Sequence, residues 1–357
     1  MRRWFWTLMT ALVVGAALAY AYGGELALRL MSRAVSSNMA TDALAALPDG
    51  LHLAVCGAGA PLPDSERSGP CLAVIAGGTL LAFDAGTGGA RNLQRMGFPP
   101  GRLGALFVTH FHSDHIDGLG EMAMLRWTGG SHLGPLPVHG PTGIGQVVEG
   151  FNLAYAQDAA YRTAHHGAEV APPSGAGAVA VAFEPPAPGT RVTVWREGEL
   201  SVSAFSVDHT PVVPAVGYRV DYRGRSLVIS GDTVATDDVR RAAEGVDLLA
   251  HEALSPRLVG VLNRAAVDAG ASSVAKITLD ILDYHTTPVE AAELAAAAGA
   301  RHLLLYHVVP PLPLPGLARV FLDGVSDAYD GPVTLARDGL LISLPAGSDE
   351  VSVQRRL

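Results

Sequence analysis

Eight consecutive residues constrain this chain more than any other stretch: Thr109-His110-Phe111-His112-Ser113-Asp114-His115-Ile116. They place three histidines and one aspartate within six positions. Imidazole and carboxylate are the ligands that suit zinc, iron or manganese. The apolar run Ala105-Leu106-Phe107-Val108-Thr109 leads into them and reads as a buried strand. Asp117-Gly118-Leu119-Gly120 follows and reads as the start of a helix. The four side chains therefore sit on a strand-to-helix loop. A lone His-x-His is equally well explained by a surface turn. His-x-His-x-Asp-His behind a buried strand points instead to a pair of metal ions, the alternative being a solvated polar loop.

Further short motifs follow the same logic along the chain. Cys56-Gly57-Ala58-Gly59-Ala60-Pro61 and Phe83-Asp84-Ala85-Gly86-Thr87-Gly88 are glycine-rich turns after apolar runs. Later come Asp208-His209-Thr210, Ser230-Gly231-Asp232-Thr233, His251-Glu252-Ala253, His285-Thr286-Thr287 and Tyr306-His307. Candidate ligands thus fall at or just after the ends of expected strands, and strands sharing a direction would bring those ends to one rim. In these motifs and their order the chain resembles the metallo-β-lactamase-fold hydrolases, in particular the ribonuclease Z and metal-dependent arylsulfatase branch. The resemblance runs from about Leu51 to Leu344.

That resemblance implies an α/β fold, a four-layer αββα sandwich, here preceded by an N-terminal hydrophobic helix. It implies that His110, His112 and His209 hold one divalent ion, that Asp114, His115 and His307 hold a second, and that Asp232 bridges them. Zinc is the first expectation, with manganese or iron as alternatives. Ions about 3.5–4 Å apart can clamp a hydroxide and an ester oxygen together, and they lower the pKa of bound water toward ~7. Such a separation needs a bridging carboxylate. By the same resemblance His285 assists the leaving group and Glu252 orients it, the alternative being a hydrogen-bonded structural pair. Asp114 could accept a proton besides ligating. His165-His166 either face the pocket or end an exposed helix. His52, His132, His139, His251 and His302 read as ordinary surface or core residues.

With 49% hydrophobic residues, the 357-residue chain can bury one large core or two modest ones. Its net charge is −9 and Lys276 is its one lysine. Nucleic-acid binding draws on clustered Lys and Arg, so it is not expected. Cys56 and Cys71 are the two cysteines. They flank a Pro/Gly-containing loop between two strands and are either a disulfide or two small buried hydrophobes.

After Met1-Arg2-Arg3, residues Trp4 to Tyr22 run nineteen positions without a charge. As a helix at ~1.5 Å per residue this is roughly 28 Å, about the thickness of a hydrocarbon core. Residues 1–22 are read as a signal peptide, with Ala17-Leu18-Ala19 a candidate cleavage site, or as an uncleaved membrane anchor. Either places the rest outside the cytoplasm, periplasmic, secreted or anchored. A buried core helix is the third reading.

Residues 23–50 read as a helical connector, 51–345 as the hydrolase domain with an insertion near the active site at about 132–190, and 346–357 as a tail. Pro, Gly and Ala dominate Ala171 to Pro188, excluding regular helix or a central strand there. Thr287-Pro288-Val289-Glu290 has the pattern of a capped helix start, with Gly299 as its stop. The expected function is exported, dinuclear metal-dependent hydrolysis of a phosphate or sulfate ester by a phosphodiesterase- or arylsulfatase-like enzyme. Lactone or β-lactam hydrolysis on the same fold is one alternative. A low-turnover metal-binding partner module is another. Expected partners are a small-molecule ester, the membrane if the N-terminal segment stays uncleaved, and a second copy of the chain in a homodimer.

Overall fold

The computed structural model describes residues 2–40 and 42–357. Side chains at 17, 18 and 38–40 lie outside the description, so the candidate cleavage site Ala17-Leu18-Ala19 falls partly outside it. The chain divides into two units, Met1–Ala46 and Leu47–Leu357.

In the first unit the apolar run and residues 23–40 of the expected connector, but not its residues 42–50, form the helix Arg2–Ala40. Its large apolar side chains, Trp4, Phe5, Trp6, Leu12 and Val13 among them, are exposed. Among the described residues no single helix is long and apolar enough to cross a membrane. Two stretches, Arg2–Ala16 and Ala19–Ser37, at 44° to one another, together meet that requirement by length and composition.

The second unit begins with six strands: β1 (Gly50–Gly57), β2 (Cys71–Ala76), β3 (Thr79–Phe83), β4 (Leu103–Phe107), β5 (Leu136–Pro141) and β6 (Ala178–Phe183). Seven more follow: β7 (Val192–Glu197), β8 (Leu200–Ser206), β9 (Val216–Tyr222), β10 (Arg225–Ile229), β11 (Leu248–Leu254), β12 (Leu303–Val309) and β13 (Val333–Leu335). The chain then returns to the first sheet through β14 (Leu340–Pro345) and β15 (Ser352–Arg355). One sheet has the order β15-β14-β1-β2-β3-β4-β5-β6, the other β13-β12-β11-β10-β9-β8-β7.

Side chains alternate across a strand, so each buried strand feeds two layers. In β10, Leu227 and Ile229 join the core between the sheets, while Val228 packs under the helices. In β12, Leu304 and Tyr306 face inward, and Leu303 and Leu305 face the helix Pro288–Ala298. Phe83, Phe107 and Tyr218 meet where the sheets oppose, with ring centroids 5.0–5.6 Å apart. Helices Gly89–Arg95, Leu119–Gly130 and Ile144–His166 cover the first sheet. The four-layer αββα arrangement is the expected one. The capping box at Thr287 and Glu290 also forms, and Gly299 closes that helix at φ 64. The β9–β10 hairpin turns at Arg223 and Gly224, both at positive φ (46 and 78), as a tight two-residue turn requires.

Two segments differ from their sequence reading. Residues 132–190 add β5, the helix Ile144–His166 and β6 in parallel to one edge of the first sheet, and they do not wall the active-site cavity described below. The Gly- and Pro-rich flanks confine β6 to that edge, where a strand needs partners on one side only. The C-terminal segment read as a tail contributes β15 at the opposite edge, where Val353 pairs with Ile342.

Cys56 and Cys71 are disulfide-bonded across β1 and β2, closing a 15-residue separation. A loop of that size is worth about 3 kcal/mol in the chain-entropy description. Denatured, unreduced protein should show no free thiol by thiol titration, and Cys56→Ala/Cys71→Ala should lower the unfolding free energy by about that amount. Two titratable thiols would refute the bridge.

Candidate metal centre

β4 ends at Phe107, and the chain turns through His110 and His112 into the short helix Ser113–Ile116 that carries Asp114 and His115. Asp232 follows β10, and His209 lies in the loop between β8 and β9. His307 sits within β12 at a bulge: Glu252 pairs with Tyr306 and Ala253 with Val308, leaving His307 out of register. Its φ of 46 lies in the left-handed region, and the bulge re-aims its side chain toward the rim. Gly231, at φ 64, precedes Asp232; a Cβ there would meet the Val216 carbonyl oxygen at 2.8 Å. The turn that delivers Asp232 therefore tolerates no side chain before it.

The seven expected ligands converge. One group comprises His110, His112, His209 and Asp232, a second Asp114, His115 and His307. Asp232 Oδ2 lies 3.3 Å from both His115 Nε2 and His307 Nε2, and 3.8 and 4.0 Å from His110 Nε2 and His209 Nε2. This one oxygen faces both groups. Asp114 Oδ2 is 3.3 Å from His307 Nε2 and 3.7 Å from His115 Nε2. His112 Nδ1 is 3.1 Å from His110 Nε2 and 3.4 Å from His209 Nε2.

The atoms behind the ligands fix their tautomers. His115 Nδ1 donates to Asp84 Oδ2 at 2.8 Å, and His209 Nδ1 donates to the Tyr284 carbonyl at 2.9 Å. The Thr109 hydroxyl donates to Asp84, so at 3.0 Å it accepts from His110 Nδ1. In their neutral form all three histidines thus turn a bare Nε2 toward the centre. Buried His115 Nε2 and Asp232 Oδ1 have no hydrogen-bond partner in the protein.

Burial raises the Asp232 carboxyl, but His307 and His115 outweigh it and hold the group well below the usual carboxylate range. Burial opposes charge on His115 too, yet Asp232 and Asp84 lift it well above an ordinary histidine. Burial, reinforced by the charge of His115, drives His110 well below that value against the pull of Asp232. A buried carboxylate that demands positive charge, ringed by imidazole nitrogens and a second carboxylate, fits a pair of divalent cations.

His285 stands beside this set, with Nδ1 3.2 Å from Glu252 Oε1. Burial lowers its pKa, but the charge and hydrogen bond of Glu252, together with the Asp232 charge, more than compensate and carry it up to about 9. Glu252 is fully buried in β11, and its Oε1 also accepts from the Thr286 backbone amide at 2.8 Å. His285 also groups with Asp232 and His307 within ligand distance, so it adjoins the centre rather than standing apart from it. A cavity of about 670 Å³ opens from His112, Asp114, Asp232, His285 and His307. Its far wall is the helical hairpin Pro256–Asp268 and Ser272–Asp280.

Comparison with known proteins agrees with this geometry. The beta-lactamase superfamily domain matches residues 81–308. Ribonuclease Z of Mycolicibacterium gilvum is 35% identical over 264 residues, 73% of this chain and 85% of the relative. This chain belongs to the metallo-β-lactamase superfamily and is related to ribonuclease Z. Among solved structures, the metallo-β-lactamase fold protein YhfI from Bacillus subtilis aligns with a TM-score of 0.58 at 20% identity, over 83% of this chain and all of that one. Human tRNase Z, short form, aligns at 0.57 and 22%, over 82% and 99%. At such identities these two show the shared fold alone.

In this metallo-β-lactamase scaffold the remaining histidines have other employment. His165 and His166 end an exposed helix and do not line the cavity. His52 bonds the Pro48 carbonyl, His132 that of Gly101, His251 that of Glu252, and His302 the Thr334 hydroxyl; His139 stacks on Phe107. Two residues escaped the sequence reading. Asp84, at φ 57, holds both Thr109 and His115. Its position at a strand end in a glycine turn was the available signal. Tyr284 packs its ring 4.7 Å from that of His209 and had no such signal.

Metal analysis after reconstitution should give about two ions per chain, and Asp232→Ala should lose most of this content. Asp84→Asn should keep the fold by circular dichroism while weakening metal affinity by about 10–100-fold, the usual effect of losing a partner behind a ligand. Unchanged affinity would show that Asp84 does not set the orientation of His115.

Proposed function

We propose that this metallo-β-lactamase-fold hydrolase cleaves small phosphate esters, phosphodiesters first and sulfate esters second, outside the cytoplasm. The carrying observation is Asp232 Oδ2, shared between two buried histidine sets at the end of a cavity that also presents His285. Two divalent ions, zinc by preference, would be held by His110, His112 and His209, by Asp114, His115 and His307, and by Asp232 between them. When bound, such a pair supplies Lewis acidity and a hydroxide nucleophile at neutral pH. The protein's own residues do the rest. His285 gives its proton to the departing alkoxide or phenoxide, and Glu252, locked by the Thr286 amide, orients that imidazole. Asp114 supports the centre and is placed to take up a proton.

The relatives are named ribonuclease Z. The cavity here carries no lysine or arginine among its lining residues, and phosphate backbones are gripped through such cations. A small ester therefore suits this chain better than RNA. The exposed apolar N-terminal helix and the disulfide support an exported or membrane-anchored protein. Side-by-side turnover of a bis-aryl phosphate, an aryl phosphomonoester, an aryl sulfate and a lactone tests the reading. The diester should be fastest, and a preference for the lactone would overturn it.

His285→Ala should lower turnover by about 10²-fold or more, within the usual range for general acid assistance, with metal content intact. The loss should be largest for alkyl leaving groups and smallest for nitrophenolate. Equal losses would assign His285 to substrate positioning, and loss of metal would assign it to the ligand set.

A further inference from the structure

The cavity has two chemically distinct ends. Beyond the ligands its lining is mainly apolar, Leu62, Leu262, Val274, Ile277, Ile281 and Val309, with alanines 265, 266 and 271 keeping it wide; Ser113, Thr278 and Tyr284 are its polar members. Its volume of about 670 Å³ lies within the ~300–1,000 Å³ typical of small-molecule sites. The distal wall is a defined piece of structure. Asn263 Nδ2 donates to the Ala275 carbonyl at 2.7 Å and to Thr278 Oγ1 at 2.9 Å, fastening the two helices of the hairpin to one another. Val274 and Ile277 line the cavity and are also 50% and 58% exposed, so the mainly apolar lining continues to the surface, and the Thr278 hydroxyl beside them is taken up by the Val274 and Ala275 carbonyls. A slot with acidic and imidazole groups at one end and an open apolar channel at the other matches an amphiphile.

We propose that the substrate ester carries an alkyl chain, and that this chain lies along the 256–280 hairpin while the ester group meets the metal centre. The proposal rests on the hydrolytic reading of that centre. Affinity should then grow with chain length, because each methylene taken out of water adds favourable apolar burial.

The test uses the zinc-loaded full chain in amphipol. Binding of methylphosphonate and octylphosphonate is measured by calorimetry, and turnover of the nitrophenyl esters of methyl and octyl phosphate is measured in parallel. The octyl compound should bind at least about tenfold more tightly. Val274→Ser/Ile277→Ser, both at half-exposed positions that tolerate polarity, should erase most of that preference and leave methylphosphonate binding and metal content unchanged. Ala265→Phe, which fills the channel, should do the same. Equal binding of the two phosphonates overturns the inference, as does an octyl preference untouched by both variants, which would place the chain elsewhere. If the preference appears but neither ester turns over, the alkyl site stands and the hydrolytic reading falls. If both esters turn over alike and bind alike, the hydrolytic reading stands and the alkyl site falls.

Discussion

A carboxylate almost wholly withdrawn from water is the constraint on which this structure depends. Asp232 is 2% exposed, and a buried ion without partners costs several kcal/mol. The protein offsets that cost with imidazoles brought from four separate places: the loop after β4, the loop after β8, the short helix that follows His112, and β12. None of these groups is close to Asp232 in sequence. Their convergence requires two sheets packed face to face with the right strand ends at one rim. The hydrophobic sandwich is thus the scaffold that makes an otherwise unfavourable charge tolerable.

The backbone departs from regular geometry where that charge is served. Asp84 and His307 are two of the four non-glycine residues at positive φ among the described residues. Such conformations cost of order 1–3 kcal/mol each and persist only where the surroundings over-determine them. Around Asp84 this comes from Phe83 packed on Phe107 and Tyr218, and from the Asp84 amide bonding the Phe107 carbonyl. Around His307 it comes from β11, which pairs with β12 before and after the bulge, and from the Val308 amide bonding the Ala58 carbonyl. The rigid core absorbs the local distortion, and the side chains it aims are held without waiting for a ligand to order them.

Much of this was readable in the chain itself. The apolar run Ala105 to Thr109 located β4, Leu103–Phe107, to within two residues, since buried strands of this fold are continuous hydrophobic stretches. The Thr287 capping box was legible because capping is a local pattern. The seven residues that converge were legible as candidates because each lies at or near a strand end in a recognisable motif. What stayed hidden is what distance in sequence conceals. Asp84 acts on residues 25 and 31 positions away, and a single aspartate in a turn says nothing about that. The cavity wall was hidden for another reason: helical periodicity gives an apolar stripe but not the direction in which the stripe points. The edge strand β6 was obscured by the Pro, Gly and Ala around it, and β15 by its brevity.

The helices Pro256–Asp268 and Ser272–Asp280 contribute to the cavity yet supply none of the seven candidate ligands. They occupy a single uninterrupted span between Glu252 and His285. What the cavity admits and what the centre does to it are therefore written in different parts of the chain. Drift, insertion or wholesale exchange within this span can redraw the shape of the cavity while every ligand keeps its place. A lineage built this way can change its diet without relearning its chemistry.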